Sequence, residues 1–187
     1  MNVLEEAIIF ATEAHCGQRR KLSAIPYILH PVEVSAIIAT LTDDLEIMAA
    51  GALHDTIEDC GVDPKVIREK FGPKVSALVQ SETEDKMSHR PASETWMERK
   101  EESLLMLKYT KDKGVRILWL ADKLSNMRSF YREYMVKGDT IWQSMNQKDP
   151  KMHAWYYRTI AEYLEEFKDT AAYQEYVQLV NATFKDC

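Results

Sequence analysis

The amino-acid sequence predicts an all-α fold, and three observations indicate it. Glycine and proline each occur only six times in 187 residues, whereas a β-sandwich needs many turn-forming residues. Apolar residues recur at helical spacing between Val3 and Ala14. Residues from Leu45 to about His54 are apolar at nearly every position, which is typical of a helix buried on all sides. A chain of this length can bury one sizeable core, so we predict a single domain over residues 1–187.

Turn and capping residues predict the boundaries of the first helices. Gly17 is expected to end the first helix, and Pro31 suits the first position of a second helix that runs to about Leu41. The polar residues 42–44 provide an N-cap for the buried helix that follows them.

Proline dipeptides and glycine mark the middle of the chain. Asp63-Pro64 and Gly72-Pro73 each predict the start of a short helix. The polar residues 81–94 are interpreted as a loop over the surface, and a helix is expected over about 93–110. We expect Gly114 to break the helical pattern before the next element.

The last part of the chain predicts three more helices. Residues 115–135 form one long helical pattern that is strongly apolar at its start. Residues 137–151 contain glycine and proline and are expected to be irregular. Two terminal helices are predicted over about 151–168 and 171–184, and no repeat or linker divides the chain.

Charge and cysteine content exclude several functional classes. The formal net charge is −6, and a general nucleic-acid binder would be basic, so no nucleic-acid partner is predicted. The three cysteines form no C-x-x-C pair and indicate neither a disulfide framework nor a cysteine zinc site. The first residues lack a basic signal-peptide region, and no apolar run is long enough to span a bilayer. We therefore expect a cytoplasmic protein without a membrane partner.

The first chemical signal is a run of a histidine and three acids at the end of the predicted buried helix. His54 and Asp55 lead the run, and Asp55, Glu58 and Asp59 share one side of a helix at i, i+3 and i+4. Carboxylates beside a histidine suit a metal ion together with a general acid or base. The alternative is a polar helix end that emerges into water.

The second signal is Asp122, which interrupts the apolar start of the long helix. Asn126 lies one turn later on the same face, and Ser129 lies nearly another turn on. A single aspartate at such a position is commonly solvated or capping, but three polar residues stacked on one face favour a functional site.

Two further signals lie near the N-terminus. His30 precedes Pro31, and together with His54, Asp55 and Asp122 it would complete a nitrogen and oxygen ligand set that suits Mn²⁺, Fe²⁺ or another first-row ion. Residues 18–21 form the densest basic cluster, which could bind phosphate or stack on a base. An exposed basic turn is the alternative for that cluster.

Four motifs in order resemble one family. The chain contains AHCGQRRK, then PYILHP, then LHDTIED, then LADKLSNMRS. This series resembles the HD-superfamily hydrolase domain of the RelA/SpoT proteins, especially the small alarmone hydrolases. The resemblance runs in register over about residues 5–130 and is weaker to about 165.

The resemblance implies an HD-type helical bundle around one metal ion, usually Mn²⁺, and it implies roles for particular residues. The implied metal ligands are His30, His54, Asp55 and Asp122. The implied residues that activate or position the attacking water are Glu58 and Asp59. The implied substrate-binding residues are Arg20 and Lys21 at the guanine base, Asn126 and Ser129 at the ribose and phosphate, and Tyr156 near the nucleotide. Tyr157 competes with Tyr156 for that last role.

The implied reaction is hydrolysis of the 3′-pyrophosphate of ppGpp or pppGpp, which releases pyrophosphate and GDP or GTP. Residues 22–25 lack the glycine that the family has between its basic pair and Pro-Tyr, which affects the shape of the base pocket. The alternatives are a related hydrolase of another nucleotide phosphate, such as NADPH or a nucleoside phosphate, and a catalytically silent nucleotide-binding protein. The oligomeric state is left open, and an oligomer is compatible with the sequence.

Overall fold

The computed structural model describes all 187 residues and contains nine α-helices. In chain order these are α1 (Val3–Ala14), α2 (Leu29–Ile38), α3 (Leu45–Leu53), α4 (Thr56–Cys60), α5 (Pro64–Glu82), α6 (Ala92–Tyr109), α7 (Lys113–Lys137), α8 (Pro150–Tyr163) and α9 (Ala171–Thr183). Two short 3-10 helices span Gly138–Ser144 and Glu165–Phe167. The one β-type pairing is an isolated antiparallel bridge between Arg19 and Pro26. The prediction of an all-α fold is confirmed.

Helix α3 lies at the centre of the core, as its apolar sequence predicts. Every residue from Ile47 to Leu53 is buried. A Cβ atom on Gly51 would come within 2.6 Å of the Ile38 side chain and 3.3 Å of the Ser35 backbone nitrogen. Glycine therefore lets α2 and α3 approach closely, and this approach brings the histidines that the two helices carry toward each other.

Two helices begin earlier than the sequence patterns predict. Helix α2 starts at Leu29, so Pro31 is its third residue and His30 belongs to the first turn. Gly114 does not break a helix but lies in the first turn of α7, where a Cβ would meet the Leu78 side chain at 3.1 Å. The glycine is needed for close packing there, and the sequence pattern alone could not distinguish packing from termination.

The two proline-initiated helices are present as two segments of α5. Gly72 has a φ of 91°, outside the helical range, and separates them before Pro73. A positive φ is favourable for glycine and strained for other residues, so the kink has a local cause.

The interpretation of residues 81–94 as a surface loop is wrong in part. Helix α5 continues to Glu82, and the Glu82 side chain is only 3% exposed. Glu84 is also largely buried, where its carboxylate contacts Arg99 at 3.0 Å and Lys100 at 2.5 Å. A polar sequence does not show that its acids have buried basic partners contributed by a later helix.

Candidate metal centre and active site

Two buried histidines face one point from neighbouring helices. His30 lies in the first turn of α2, and His54 follows the last residue of α3. The His54 Nδ1–H donates to the Gly51 carbonyl oxygen at 2.8 Å, and a carbonyl can only accept. Nε2 of His54 is therefore left with a free lone pair, and this buried atom has no hydrogen-bond partner.

The other imidazole is oriented by a chain of hydrogen bonds. Nδ1 of His30 lies 2.8 Å from Oγ of Ser125 on α7, and this hydroxyl donates to Glu33 at 2.5 Å. Because the hydroxyl proton points to the carboxylate, the hydroxyl oxygen accepts from Nδ1–H. Nε2 of His30 is thereby directed, like that of His54, toward the common point.

Two aspartates complete the centre. Oδ1 of Asp122 lies 3.1 Å from Nε2 of His30 and 3.5 Å from Nε2 of His54. Oδ2 of Asp55 lies 3.1 Å from Nε2 of His54 and 3.6 Å from Nε2 of His30. The four predicted ligand residues are thus brought together in the structure.

This arrangement fits a divalent metal ion. One ligand atom from each of His30, His54 and Asp122 lies within 4.8 Å of the others, and Asp55 approaches both imidazoles. Nε2 of His54 is a buried polar atom without a hydrogen bond, and a metal ion between it and the carboxylates of Asp55 and Asp122 would satisfy it. Two nitrogen and two carboxylate donors suit a first-row divalent ion better than a thiolate site would.

The electrostatics of the centre keep both aspartates ionised. Burial would raise the pKa of Asp122, but Lys123 and the two histidines hold it well below the usual value. The pKa of Asp55 is likewise lowered, mainly by His54, against the opposing effect of burial. Burial lowers the pKa of His30, which favours the neutral ring that a metal ligand must have. Burial acts the same way on His54, but Asp55 and Asp122 outweigh it and raise the pKa of His54 above its usual value, so a metal ion must displace a proton from this ring.

The predicted acid pair lies beside the centre on α4. Glu58 Oε2 accepts a hydrogen bond from the backbone N–H of Glu84 at 3.1 Å. Asp59 accepts one from Lys86 Nζ at 2.6 Å, and the same ammonium lies 3.7 Å from Glu58. Burial raises the pKa of Glu58, and the nearby acids add to the effect. A carboxylate with a raised pKa is better able to accept a proton near neutral pH.

A cavity of about 280 Å³ is lined by Asp59 of the acid pair and by most of the predicted substrate residues. Its lining residues include Arg20, Lys21, Asp59, Asn126 and Ser129, together with apolar side chains. Nη2 of Arg20 donates to Oδ1 of Asn126 at 2.8 Å, and Asn126 donates in turn to Oδ1 of Asp122 at 2.8 Å. The basic cluster is therefore connected to the candidate metal ligands.

Tyr156 does not line the 280 Å³ cavity. It lines a neighbouring cavity of about 210 Å³, which is also lined by Tyr157 and Asn126. Its side chain is buried, and its hydroxyl has no hydrogen-bond partner. Both tyrosines border this second cavity, so the choice between them stays a prediction.

Sequence reasoning missed several residues of the site. Tyr27 donates hydrogen bonds to both Asp55 and Asp59. It lies in the same PYILHP motif as the predicted metal ligand His30. Ser125 and Glu33 act together only because α2 and α7 are adjacent, so no local pattern could pair them. Lys86 lies in the stretch that was interpreted as a surface loop.

In this helical bundle, buried histidines and aspartates converge on one point. The protein is therefore of the all-α class and has a candidate metal centre. The chain belongs to the HD-domain family, whose model matches residues 7–149. HD domains bind a divalent metal, and the cluster described above is the corresponding possible site. No helix combines the length and apolar character needed to cross a membrane.

Curated relatives support the family assignment. The chain is 37% identical over 130 residues to a guanosine-3′,5′-bis(diphosphate) 3′-pyrophosphohydrolase of Vibrio cholerae, covering 69% of this chain and 18% of that one. It is 35% identical over 153 residues to a putative chloroplastic GTP diphosphokinase RSH1 of Arabidopsis thaliana, covering 75% and 17%. The chain thus spans less than a fifth of the length of these relatives.

Solved structures match over nearly the whole chain. A metazoan ortholog of SpoT, described as hydrolysing ppGpp, superposes with a TM-score of 0.76 at 24% identity and covers 97% of this chain and 94% of that one. A protein of Listeria monocytogenes has a TM-score of 0.71 at 30% identity and covers 86% and 96%. The predicted HD-type fold is confirmed by these matches.

Proposed function

We propose that the chain is a metal-dependent phosphohydrolase that removes the 3′-pyrophosphate of ppGpp or pppGpp. Asp59 lines the same cavity as Arg20 and Lys21, while Tyr27 joins Asp59 to the candidate ligand Asp55. This connection between an anion-binding cavity and a candidate metal centre carries the proposal. The name of the Vibrio cholerae relative and the description of the metazoan ortholog support the same substrate.

We assign His30, His54, Asp55 and Asp122 as ligands of one divalent ion, for which Mn²⁺ is the proposed identity. When bound, such an ion supplies Lewis-acid activation of water and of phosphoryl oxygens. The mixed nitrogen and oxygen ligand set favours a first-row ion of this kind.

Glu58 and Asp59 are proposed to orient the attacking water and accept its proton. The water oxygen forms a bond to the phosphorus carried by the ribose 3′-oxygen, the bond from that phosphorus to the 3′-oxygen breaks, and the 3′-oxygen takes up a proton to become the 3′-hydroxyl. Pyrophosphate and GDP or GTP are released. The backbone N–H of Glu84 and the ammonium of Lys86 hold the two carboxylates in place for this step.

The 280 Å³ cavity is proposed to bind the nucleoside. The guanidinium carbon of Arg20 lies 5.5 Å from the centre of the Tyr27 ring, which orients a planar cation toward the cavity. A guanidinium plane can stack on a purine, and Lys21 adds a positive charge beside it. Asn126 and Ser129 would contact the ribose and phosphate side of the nucleotide. We also propose that the protein, which would act on such a nucleotide, is located in the cytoplasm.

The test is Mn²⁺-dependent release of pyrophosphate from ppGpp by the wild type, Asp55→Ala and Glu58→Ala, with Mn²⁺ affinity measured on each protein. We expect turnover by the wild type and loss of turnover in both variants, with loss of metal binding only in Asp55→Ala. A wild type that binds Mn²⁺ but leaves ppGpp intact would refute the substrate. The same assay would then be applied to NADPH and nucleoside phosphates.

A further inference from the structure

Lys123 is a buried lysine beside the candidate metal ligand Asp122. Its side chain is only 13% exposed, and its ammonium contacts Oδ2 of Asp122. The ammonium also lies 4.5 Å from the centre of the Trp119 ring. Lysine is seldom buried unless its charge is compensated, so the contact with Asp122 has a large electrostatic effect on both groups.

The two oxygens of Asp122 have separate partners. Oδ1 faces His30 and His54 at 3.1 and 3.5 Å, whereas Oδ2 is occupied by Lys123. Lys123 at Oδ2 and the amide of Asn126 at Oδ1 together hold the rotation of the carboxylate, and Oδ1 remains the oxygen directed at the candidate metal position.

The other carboxylate near Lys123, that of Glu82, lies farther from the ammonium than Asp122 does. Oε2 of Glu82 lies 3.6 Å from the ammonium, beyond hydrogen-bond distance, and its Oε1 is buried without a partner. Burial raises the pKa of Glu82 to about 8, against the opposing effect of Lys123, so this carboxyl is mostly uncharged at neutral pH. The positive charge of Lys123 therefore acts mainly on Asp122.

We propose that Lys123 is an internal counter-ion of the metal centre, one that lowers the affinity for the cation and raises the affinity for an anionic substrate. Asp55 and Asp122 contribute two negative charges, and Lys123 cancels one of them. A divalent ion bound there leaves the centre with a net positive charge, which favours a phosphate group. This inference rests on the metal site of the proposed function.

Lys123 lies near the cavity proposed for the nucleoside, although it does not line that cavity itself. It lines the 210 Å³ cavity together with Asn126, which hydrogen-bonds Asp122. It also lines a separate polar cavity of about 220 Å³ on the side of Glu82. The lysine thus borders two cavities, and Asn126 links the first of them both to Asp122 and to the 280 Å³ cavity.

Lys123→Met keeps a similar side-chain length and removes the charge. An effect of the charge on the metal site predicts tighter Mn²⁺ binding by this variant, whereas a role of Lys123 only in orienting Asp122 predicts weaker binding. If the charge matters, the metal-free variant binds Mn²⁺ alone about tenfold more tightly, because a repelling charge a few ångströms away has been removed. The KM for ppGpp rises by about tenfold for the same electrostatic reason. Lys123→Arg, which restores the charge, is expected to return both values toward the wild type.

Lys100→Met is the matched control, since Lys100 is a largely buried lysine whose partner is Glu84 rather than a metal ligand. Its Mn²⁺ affinity is expected to match the wild type in isothermal titration calorimetry. Mn²⁺ affinity that is unchanged or weaker in Lys123→Met would overturn the proposal, and so would an unchanged KM. If Lys123→Met does not melt cooperatively, Lys123→Gln is measured instead. The titration contains no nucleotide, so a wild type that binds Mn²⁺ without hydrolysing ppGpp refutes the substrate and leaves this test intact.

Discussion

The phenol oxygen of Tyr27 lies 2.7 Å from Oδ2 of Asp55, and the same oxygen lies 3.1 Å from Oδ2 of Asp59. One hydroxyl proton is therefore shared between a candidate metal ligand and a member of the acid pair. Burial raises the pKa of Tyr27, and the two carboxylates raise it further, so the phenol stays protonated and remains a donor.

Tyr27→Phe removes this shared proton and keeps the ring, which stacks on His15 and packs edge-on against His30. We expect kcat for ppGpp to fall about tenfold, because partners that orient ligands and bases have effects of this size. The melting temperature without metal is expected to change little. Steady-state kinetics with saturating Mn²⁺ would measure this kcat. An unchanged kcat would show that the hydrogen bonds from Tyr27 to Asp55 and Asp59 have no part in turnover.

Ser125→Ala breaks the hydrogen-bond chain from Glu33 to His30. The imidazole loses the acceptor that fixes its tautomer, and we expect about a 10- to 100-fold loss of Mn²⁺ affinity. Glu33 keeps its contact with Arg128 at 3.0 Å, so the carboxylate itself is not left unpaired.

Calorimetric titration of metal-free Ser125→Ala with Mn²⁺ measures this loss. Ser129→Ala is the control, because Ser129 lies one turn further along α7 and lines the substrate cavity instead. Equal Mn²⁺ affinities in Ser125→Ala and the wild type would mean that the relay does not orient His30.

The raised pKa of Glu58 predicts the pH at which activity is lost on the acidic side of the pH–rate profile. The active form of a general base is the carboxylate, so activity is lost as the pH falls through the pKa of Glu58. Because burial shifts this pKa upward, the loss is expected at a higher pH than for an ordinary glutamate. Glu58→Gln should lower kcat by at least about a hundredfold while leaving Mn²⁺ binding intact.

The measurement is kcat between pH 5 and 9 at saturating Mn²⁺ for the wild type and for Glu58→Asp, which retains a shorter carboxylate. We expect the acidic limb to persist at reduced rate in Glu58→Asp. A Glu58→Gln enzyme with substantial turnover would assign the base to another group.

The metal ligands could be predicted from the sequence because each lies in a short motif next to a helix boundary. His54 and Asp55 end a helix that is apolar throughout, and Asp122 interrupts another apolar helix. These polar residues differ from their apolar neighbours in the sequence, and the structure buries them. The packing of α2 against α3 could not be predicted in the same way. It depends on the absence of a side chain at Gly51, which a sequence pattern reads only as a weak helix former.

The burial of the acids in residues 81–94 could not be predicted from the sequence either. Glu84 is separated by 15 or more residues from Arg99 and Lys100, its partners on α6. Because a charge pattern indicates local exposure and not pairing with a distant residue, the sequence predicts that these acids lie in solvent. The same reasoning overlooked Glu82, whose burial has a measurable thermodynamic consequence.

Glu82→Gln is predicted to stabilise the metal-free protein increasingly as the pH rises. The pKa of Glu82 is about 8 in the folded state because of burial, and it lies near the ordinary glutamate value in the unfolded state. The folded state therefore holds an extra proton between about pH 4.5 and 8. The stabilising contribution of protonated Glu82 is present below this window and is lost as the pH rises through it.

Glutamine resembles the protonated form at every pH, so the variant avoids that loss. We expect its free energy of unfolding to equal that of the wild type near pH 4.5 and to exceed it by about 1 to 3 kcal/mol at pH 8. Urea unfolding in the presence of a chelator, repeated across this pH range, measures the difference.

Glu84→Gln provides a control of opposite sign. Burial alone would raise the pKa of Glu84, but Lys100 lowers it, so this carboxylate is ionised and stabilising at neutral pH. Its replacement should destabilise the protein at pH 7 to 8, because Arg99 and Lys100 lose their partner. A pH-independent difference between Glu82→Gln and the wild type would mean that Glu82 is ionised in the fold. Lys123 would then have two charged partners, and its effect on Asp122 would be correspondingly weaker.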